Sequence, residues 1–195
     1  MSRREALARV AWLTGGAIIG AEFFLNGSRA LARATGPGFT PDERALLDEI
    51  AETIIPTTAT PGARAARVGG FMAMMVDDCY DDAHQEIFRA GLIRIDANCR
   101  QSHGKSFLSA SPAERSAVLT RIDAEVAAQA GPRPHGAPAH FFRLMKQLTL
   151  LGYFTSEIGC SQALRYLEVP GAFHGDVPYA KGDRAWFGRT STALF

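Results

Sequence analysis

The chain has 195 residues, 47% of them hydrophobic and 9% aromatic, with 21 Lys and Arg against 20 Asp and Glu for a net charge of +1. That length suits one domain with a buried core, and the balanced charge excludes the basic face that nucleic acid or an anionic membrane would require.

Met1-Ser2-Arg3-Arg4-Glu5-Ala6-Leu7 opens the chain, an apolar stretch runs from Val10 to Leu25, and Ala30-Leu31-Ala32 and Ala34 follow. Paired arginines, a short hydrophobic span and a small-x-small exit are the pattern of a twin-arginine export signal over residues 1–34. Arg3, Arg4 and Leu7 carry that pattern, with Ala6 where phenylalanine is usual; Ala30 and Ala32 mark the exit, with cleavage expected after Ala32 or Ala34. The span of about 16 residues falls short of the roughly 20 that cross a bilayer core, and Glu22 would cost about 2.5–3.5 kcal/mol near mid-membrane. General secretion, a retained anchor and a buried helix are the alternatives. Losing Arg3, Arg4, Arg9 and Arg29 together with Glu5 and Glu22 turns the charge of +1 into −1.

The remainder, residues 35–195, is expected to be one helical domain. Gly36-Pro37-Gly38 is a hinge. Thr40-Pro41-Asp42-Glu43 supplies an N-cap, a proline at the first helical position and a glutamate placed to close a capping box. Leu46, Leu47, Ile50, Ala51, Ile54 and Ile55 recur at helical spacing, which predicts a helix over 41–55 that Pro56 ends. Thr57 to Ala63 is a loop, and Val68 to Val76 a short helix. A helix starting at Asp81 or Asp82 carries Ile87, Phe88, Leu92, Ile95 and Cys99. A second capping box, Ser111-Pro112-Ala113-Glu114, opens a helix with Val118, Leu119, Ile122 and Val126. Gly131 to Gly136 breaks the pattern, residues 138–152 form a strongly apolar helix, and Ser156 caps a last one to about Tyr166.

From Val169 the periodicity stops, although Phe173, Tyr179, Trp186, Phe187 and Phe195 lie there. No run of alternating residues predicts a strand. The expected fold is therefore all-α, a compact helical bundle with an irregular C-terminal arm over 168–195, preceded by the export signal helix. Aromatics on such an arm need a surface, either their own bundle or a second subunit.

No catalytic constellation stands out. Cys99 and His103 share a helix face, but a metal site needs three or four ligands. There is no Cys-x-x-Cys-His for haem, no cysteine cluster for iron–sulfur, and no dinucleotide, phosphate-loop or nucleophile-elbow motif. Asp77, Asp78, Asp81 and Asp82 lack the alternation and glycine of a calcium loop and read as a solvated turn favouring the next helix start. Of three cysteines, Cys79 and Cys99 would lie roughly 26 Å apart along one helix, too far to pair. Cys160 is left to reach either, or a partner chain; three buried small hydrophobes is the plainer reading.

The chain resembles the gluconate 2-dehydrogenase subunit 3 family, the small or gamma subunits of periplasmic flavin-dependent sugar dehydrogenases. The residues that carry the resemblance are Phe39 to Glu43, Ile54-Ile55-Pro56-Thr57-Thr58-Ala59-Thr60-Pro61-Gly62-Ala63, Leu148-Thr149-Leu150-Leu151-Gly152-Tyr153-Phe154-Thr155-Ser156-Glu157-Ile158-Gly159, and Leu164 to Pro178. It covers about residues 39–178 and implies a large FAD-binding partner of the glucose–methanol–choline oxidoreductase type, often with a c-type cytochrome carrying haem c in a third subunit. It implies no cofactor and no catalytic residue in this chain, and a periplasmic complex, either free or membrane-associated. The large subunit commonly lacks an export signal, so the small subunit's signal would take the folded pair through the twin-arginine translocase.

Tyr153 and Phe154 lie on the expected corner between a helix ended by Gly152 and one capped by Ser156, where they fill either the bundle core, the plainer reading, or a partner's groove; with Pro170, Phe173, Tyr179, Trp186 and Phe187 on the arm they are the candidate partner contacts. The expected function is a non-catalytic subunit that stabilises and escorts a dehydrogenase. A self-contained periplasmic metal-dependent enzyme and a membrane-anchor module of a redox complex are the alternatives.

Overall fold

The computed structural model describes residues 38–128, 139–169, 171 and 176–187. The export signal at 1–34, the breaker at 131–136, and Pro170 and Phe173 on the arm lie outside the described residues. Helix α1, Pro41–Ile54, begins at the expected capping box. Glu43 N–H donates to Thr40 Oγ1 at 3.2 Å, and Thr40 N–H to Glu43 Oε2 at 2.8 Å. Leu47, Ile50 and Ala51 form its buried face.

Helix α2, Val68–Cys79, follows a loop and a turn that ends at Arg67, whose φ of 56° is left-handed. It buries Val68, Met72, Ala73 and Val76, a stripe at helical spacing. Helix α3, Asp82–His103, is capped by Asp81, which accepts from His84 N–H at 2.8 Å, and ends at Gly104 with φ 68°. A 3-10 turn at Phe107–Ser109 then buries Phe107 and leads to α4, Pro112–Ala128. There the second capping box closes as expected: Ser111 N–H donates to Glu114 Oε2 at 2.7 Å and Glu114 N–H to Ser111 Oγ at 3.3 Å.

Helix α5, Phe141–Phe154, is the centre of the bundle. It buries Phe141, Phe142, Leu144, Met145, Leu148, Thr149 and Tyr153, and packs on α1, α2, α3 and α4. Thr149 is the fully buried polar residue of the core, and its hydroxyl donates to Met145 O at 2.8 Å, so no group is left unsatisfied there.

The all-α reading holds among the described residues, and three sequence expectations change. Gly152 does not end α5; it lies inside it, where an added Cβ would come within 2.6 Å of the Phe71 ring. Its role is close approach of α5 to α2. The helix expected to run to Tyr166 is a short turn ending in a π-helix at Gly159–Ala163. The cysteines are free rather than three buried hydrophobes: Cys99 is buried, Cys160 half-buried and Cys79 exposed. No described helix is long and apolar enough to cross a membrane.

Candidate functional site

Two carboxylates on α1 tie the bundle to the loop that follows it. Glu52 accepts from Thr57 N–H at 2.9 Å and Thr57 Oγ1 at 2.8 Å through one oxygen, and from Arg64 N–H at 2.9 Å through the other. Glu49 pairs with Arg64 from the loop and with Arg115 from α4. Arg115 also donates to Phe107 O at 2.9 Å and Leu108 O at 2.7 Å, so the 3-10 turn joins the same cluster. Glu52 and Arg64 sit at spacings that no local pattern marks as partners.

Tyr153 is only 2% exposed, and its hydroxyl donates to Pro61 O at 2.7 Å. Its ring packs edge-on against Phe154 with centroids 5.2 Å apart, and Phe154 is half-buried at the end of α5. Tyr153 therefore faces the core of its own bundle, where it anchors the 56–67 loop.

Beyond α5 the chain turns sharply. Ser156 Oγ donates to Tyr153 O at 2.7 Å and accepts from Gly159 N–H at 3.0 Å, a cap on the short turn. Cys160 Sγ donates to Phe154 O at 3.1 Å, and burial pushes its thiol pKa up. Arg165 then leaves the helical ladder. Its N–H donates to Ala185 O at 2.8 Å, and Phe187 N–H donates to Arg165 O at 2.8 Å. These two bonds make a parallel bridge between Arg165 and Trp186.

The side chains follow the alternation of a β-pair. Arg165 stacks on the Trp186 ring at 5.6 Å on one face, and Tyr166 meets Phe187 at 5.9 Å on the other. The arm is pinned further by Arg165–Asp183 at 3.3 Å and by Arg184, which donates to Ser161 O and Gln162 O at 3.2 and 2.7 Å. Those carbonyls belong to the π-turn, so the returning arm caps it. Tyr166, Trp186 and Phe187 come together here, and Tyr179 lies just before the turn at Ala180–Asp183 that leads to the bridge.

What the arm does not do is hide its apolar side chains. Among the described residues, six of the ten exposed large hydrophobics are Tyr166, Leu167, Val169, Val177, Tyr179 and Trp186. Tyr179 is 78% exposed and Trp186 55%. Tyr166, Leu167, Val169 and Val177 were not singled out in the sequence; their signal is apolar residues in a segment with no helical or strand period to bury them.

A groove of about 220 Å³ opens between α1, α4 and α5, floored by Leu119 and Phe142. Its ionisable groups, Lys146 and Asp123, neutralise each other at 2.8 Å. Elsewhere, hydrogen bonds from Ser111 hold the Glu114 carboxyl down at about 2, and burial raises the Cys99 thiol, helped by Asp96 and Glu114. Burial also raises the Tyr80 phenol. Glu114 is thus fixed as a helix cap, and His103, 4.0 Å from it, faces that carboxylate. No cluster of three or more His, Cys, Asp or Glu side chains able to hold a metal occurs among the described residues.

A family model described as gluconate 2-dehydrogenase subunit 3 matches residues 41–171, two-thirds of the chain. The chain belongs to the gluconate 2-dehydrogenase subunit 3 family. No curated protein and no solved structure matches it. The family description makes the chain a subunit within a multi-subunit dehydrogenase complex. For a gluconate 2-dehydrogenase subunit 3 domain, the Tyr153–Pro61 bond has a simple meaning. It joins two of the four stretches that carry the sequence resemblance, Ile54–Ala63 and Leu148–Gly159, into one structural unit.

Proposed function

We propose that this chain is the non-catalytic small subunit of an FAD-dependent gluconate or sugar dehydrogenase, and that it stabilises the flavoprotein subunit and brings it to the periplasm as a folded pair. The observation that carries this reading is the family match over residues 41–171. Supporting it are the twin-arginine pattern at Arg3 and Arg4, which suits export of a folded cargo, and the exposed apolar arm. In this reading FAD sits in the large glucose–methanol–choline-type partner and haem c in an accompanying cytochrome. Substrate choice belongs to the large subunit.

The test is co-purification from periplasm with a tag after Phe195, comparing the parent with Arg3→Lys/Arg4→Lys. A yellow flavoprotein should come down with the parent, and both chains should stay in the cytoplasm in the variant. A colourless chain recovered alone, with the flavoprotein exported regardless, refutes the escort role.

A further inference from the structure

The returning arm, residues 176–187, contributes nothing to the core. Among the described residues, the buried apolar cluster and the side chains packed on it reach no further along the chain than Ala163. Residues 176–186 are all exposed, and Phe187, in contact with the Tyr166 ring, is half-buried. What ties the arm down is otherwise polar. Arg165 exchanges two backbone bonds with Ala185 and Phe187, and Arg184 donates to Ser161 O and Gln162 O. The Arg165–Asp183 pair at 3.3 Å completes the set, with the Arg165 guanidinium over a Trp186 ring that is itself exposed.

Contacts of this kind are weak in water. An exposed hydrogen bond or ion pair shifts a closing equilibrium by a factor of about 2 to 10. The helices, by contrast, are joined through a shared apolar core, and detaching the arm uncovers none of it. The hydrophobic effect therefore does not couple loss of the arm to unfolding of the bundle. The arm also carries its own closure. Asp183 N–H donates to Ala180 O at 3.0 Å, and Ala180 N–H donates to Asp183 Oδ2 at 3.0 Å, so that turn needs nothing from the bundle. The other oxygen of the same carboxylate, Oδ1, is the one that meets Arg165. Asp183 thus both closes the arm's turn and fastens the turn to the bundle.

We propose that residues 176–187 are a strap that lifts from the bundle while the five long helices stay folded, and that the Arg165–Asp183 pair is its latch. Lifting frees the Tyr166 ring and the Ser161 and Gln162 carbonyls without disturbing α1 to α5. The device belongs to this chain alone and does not depend on the proposed subunit role.

Two amides report on the strap directly, because the N–H groups of Arg165 and Phe187 are bonded across the bridge. Hydrogen exchange on the purified full chain should find both protected, yet at least about 100-fold less than the Leu148 amide in the middle of α5. Urea below the unfolding midpoint should speed exchange at Leu148 and leave the two bridge amides nearly unchanged, since lifting exposes little surface. Asp183→Asn removes the charge but keeps an oxygen to accept from Ala180 N–H. It should speed exchange of the bridge amides about 2- to 5-fold and keep Tm within about 1 °C of the parent's. Raising sodium chloride from about 0.05 to about 0.5 M should do the same in the parent and nothing further in Asp183→Asn. Bridge amides that match Leu148 in protection and urea dependence, or a larger fall in Tm for Asp183→Asn, overturn the strap, because the arm is then part of the bundle. Unprotected bridge amides overturn it too, as an arm that never docks. Protection indifferent to both salt and Asp183→Asn overturns the latch.

Discussion

Replacing Glu52 by glutamine changes one oxygen to an amide nitrogen and should loosen the 56–67 loop out of proportion to its size. The carboxylate accepts three bonds, two from Thr57 and one from Arg64, and every group that faces it is a donor. Glutamine has one acceptor oxygen. Turned toward Thr57, it sets its NH₂ against the Arg64 N–H; turned toward Arg64, it sets the NH₂ against the Thr57 N–H. Either way at least one charge-assisted bond is lost and a donor faces a donor, which costs about 2 kcal/mol at a half-buried site. For a unit of this size that corresponds to a fall in Tm of about 4–8 °C, read by circular dichroism. Trypsin should also cut the variant faster after Arg64 and Arg67, which are exposed but sit on backbone that must open locally to enter a protease. A Tm within about 1 °C of the parent's and an unchanged cleavage rate would show that the loop's own backbone turns hold it and that Glu52 is incidental.

Two further outcomes follow from ionisation. The Glu114 carboxyl is held at about 2 by Ser111, below its unfolded value of 4.5, so its stabilising effect is complete above pH 4.5 and is lost as pH falls through about 2. The stability gap between parent and Glu114→Gln should therefore be constant above pH 4.5 and shrink on acidification; a gap that widened would refute the capping role. Native-state alkylation should modify Cys79 first, Cys160 more slowly and Cys99 only on unfolding, because Cys79 is exposed while burial raises the thiol pKa of the other two. Labelling of Cys99 as fast as Cys79 would mean that the buried face of α3 is not closed.

Local signals were enough for the five long helices. Thr40 with Glu43 and Ser111 with Glu114 are capping boxes, Asp81 is an N-cap, and Phe88, Leu92, Ile95 and Cys99 recur on one face; each is decided within a few residues of chain. What escaped the sequence depends on groups far away. The helix expected from Ser156 to Tyr166 gives way because Arg165 bonds to Ala185 and Phe187 instead of its own turn, while Arg184 takes the carbonyls of Ser161 and Gln162. Gly152 looked like a helix end because glycine often is one; Phe71, 81 residues earlier, decides otherwise. Tyr153 offered two readings on its spacing alone. Only the Pro61 carbonyl, 92 residues away, shows why a tyrosine can lie in the core. At the candidate site, Tyr179 and Trp186 were legible as aromatics in an aperiodic tail, whereas the bridge to Arg165 that holds Trp186 was not.

The bonds that finish α1 arrive late. Ribosomes deliver the chain from its N-terminus, yet the Glu49 carboxylate waits for Arg115, and the loop after α1 waits for the Tyr153 hydroxyl to reach Pro61. A nascent or truncated chain that ends before α5 therefore lacks part of the cover over Leu47, Ile50 and Ala51, which α1 buries against α2, α4 and α5 together. That face closes fully only once α5 has been made.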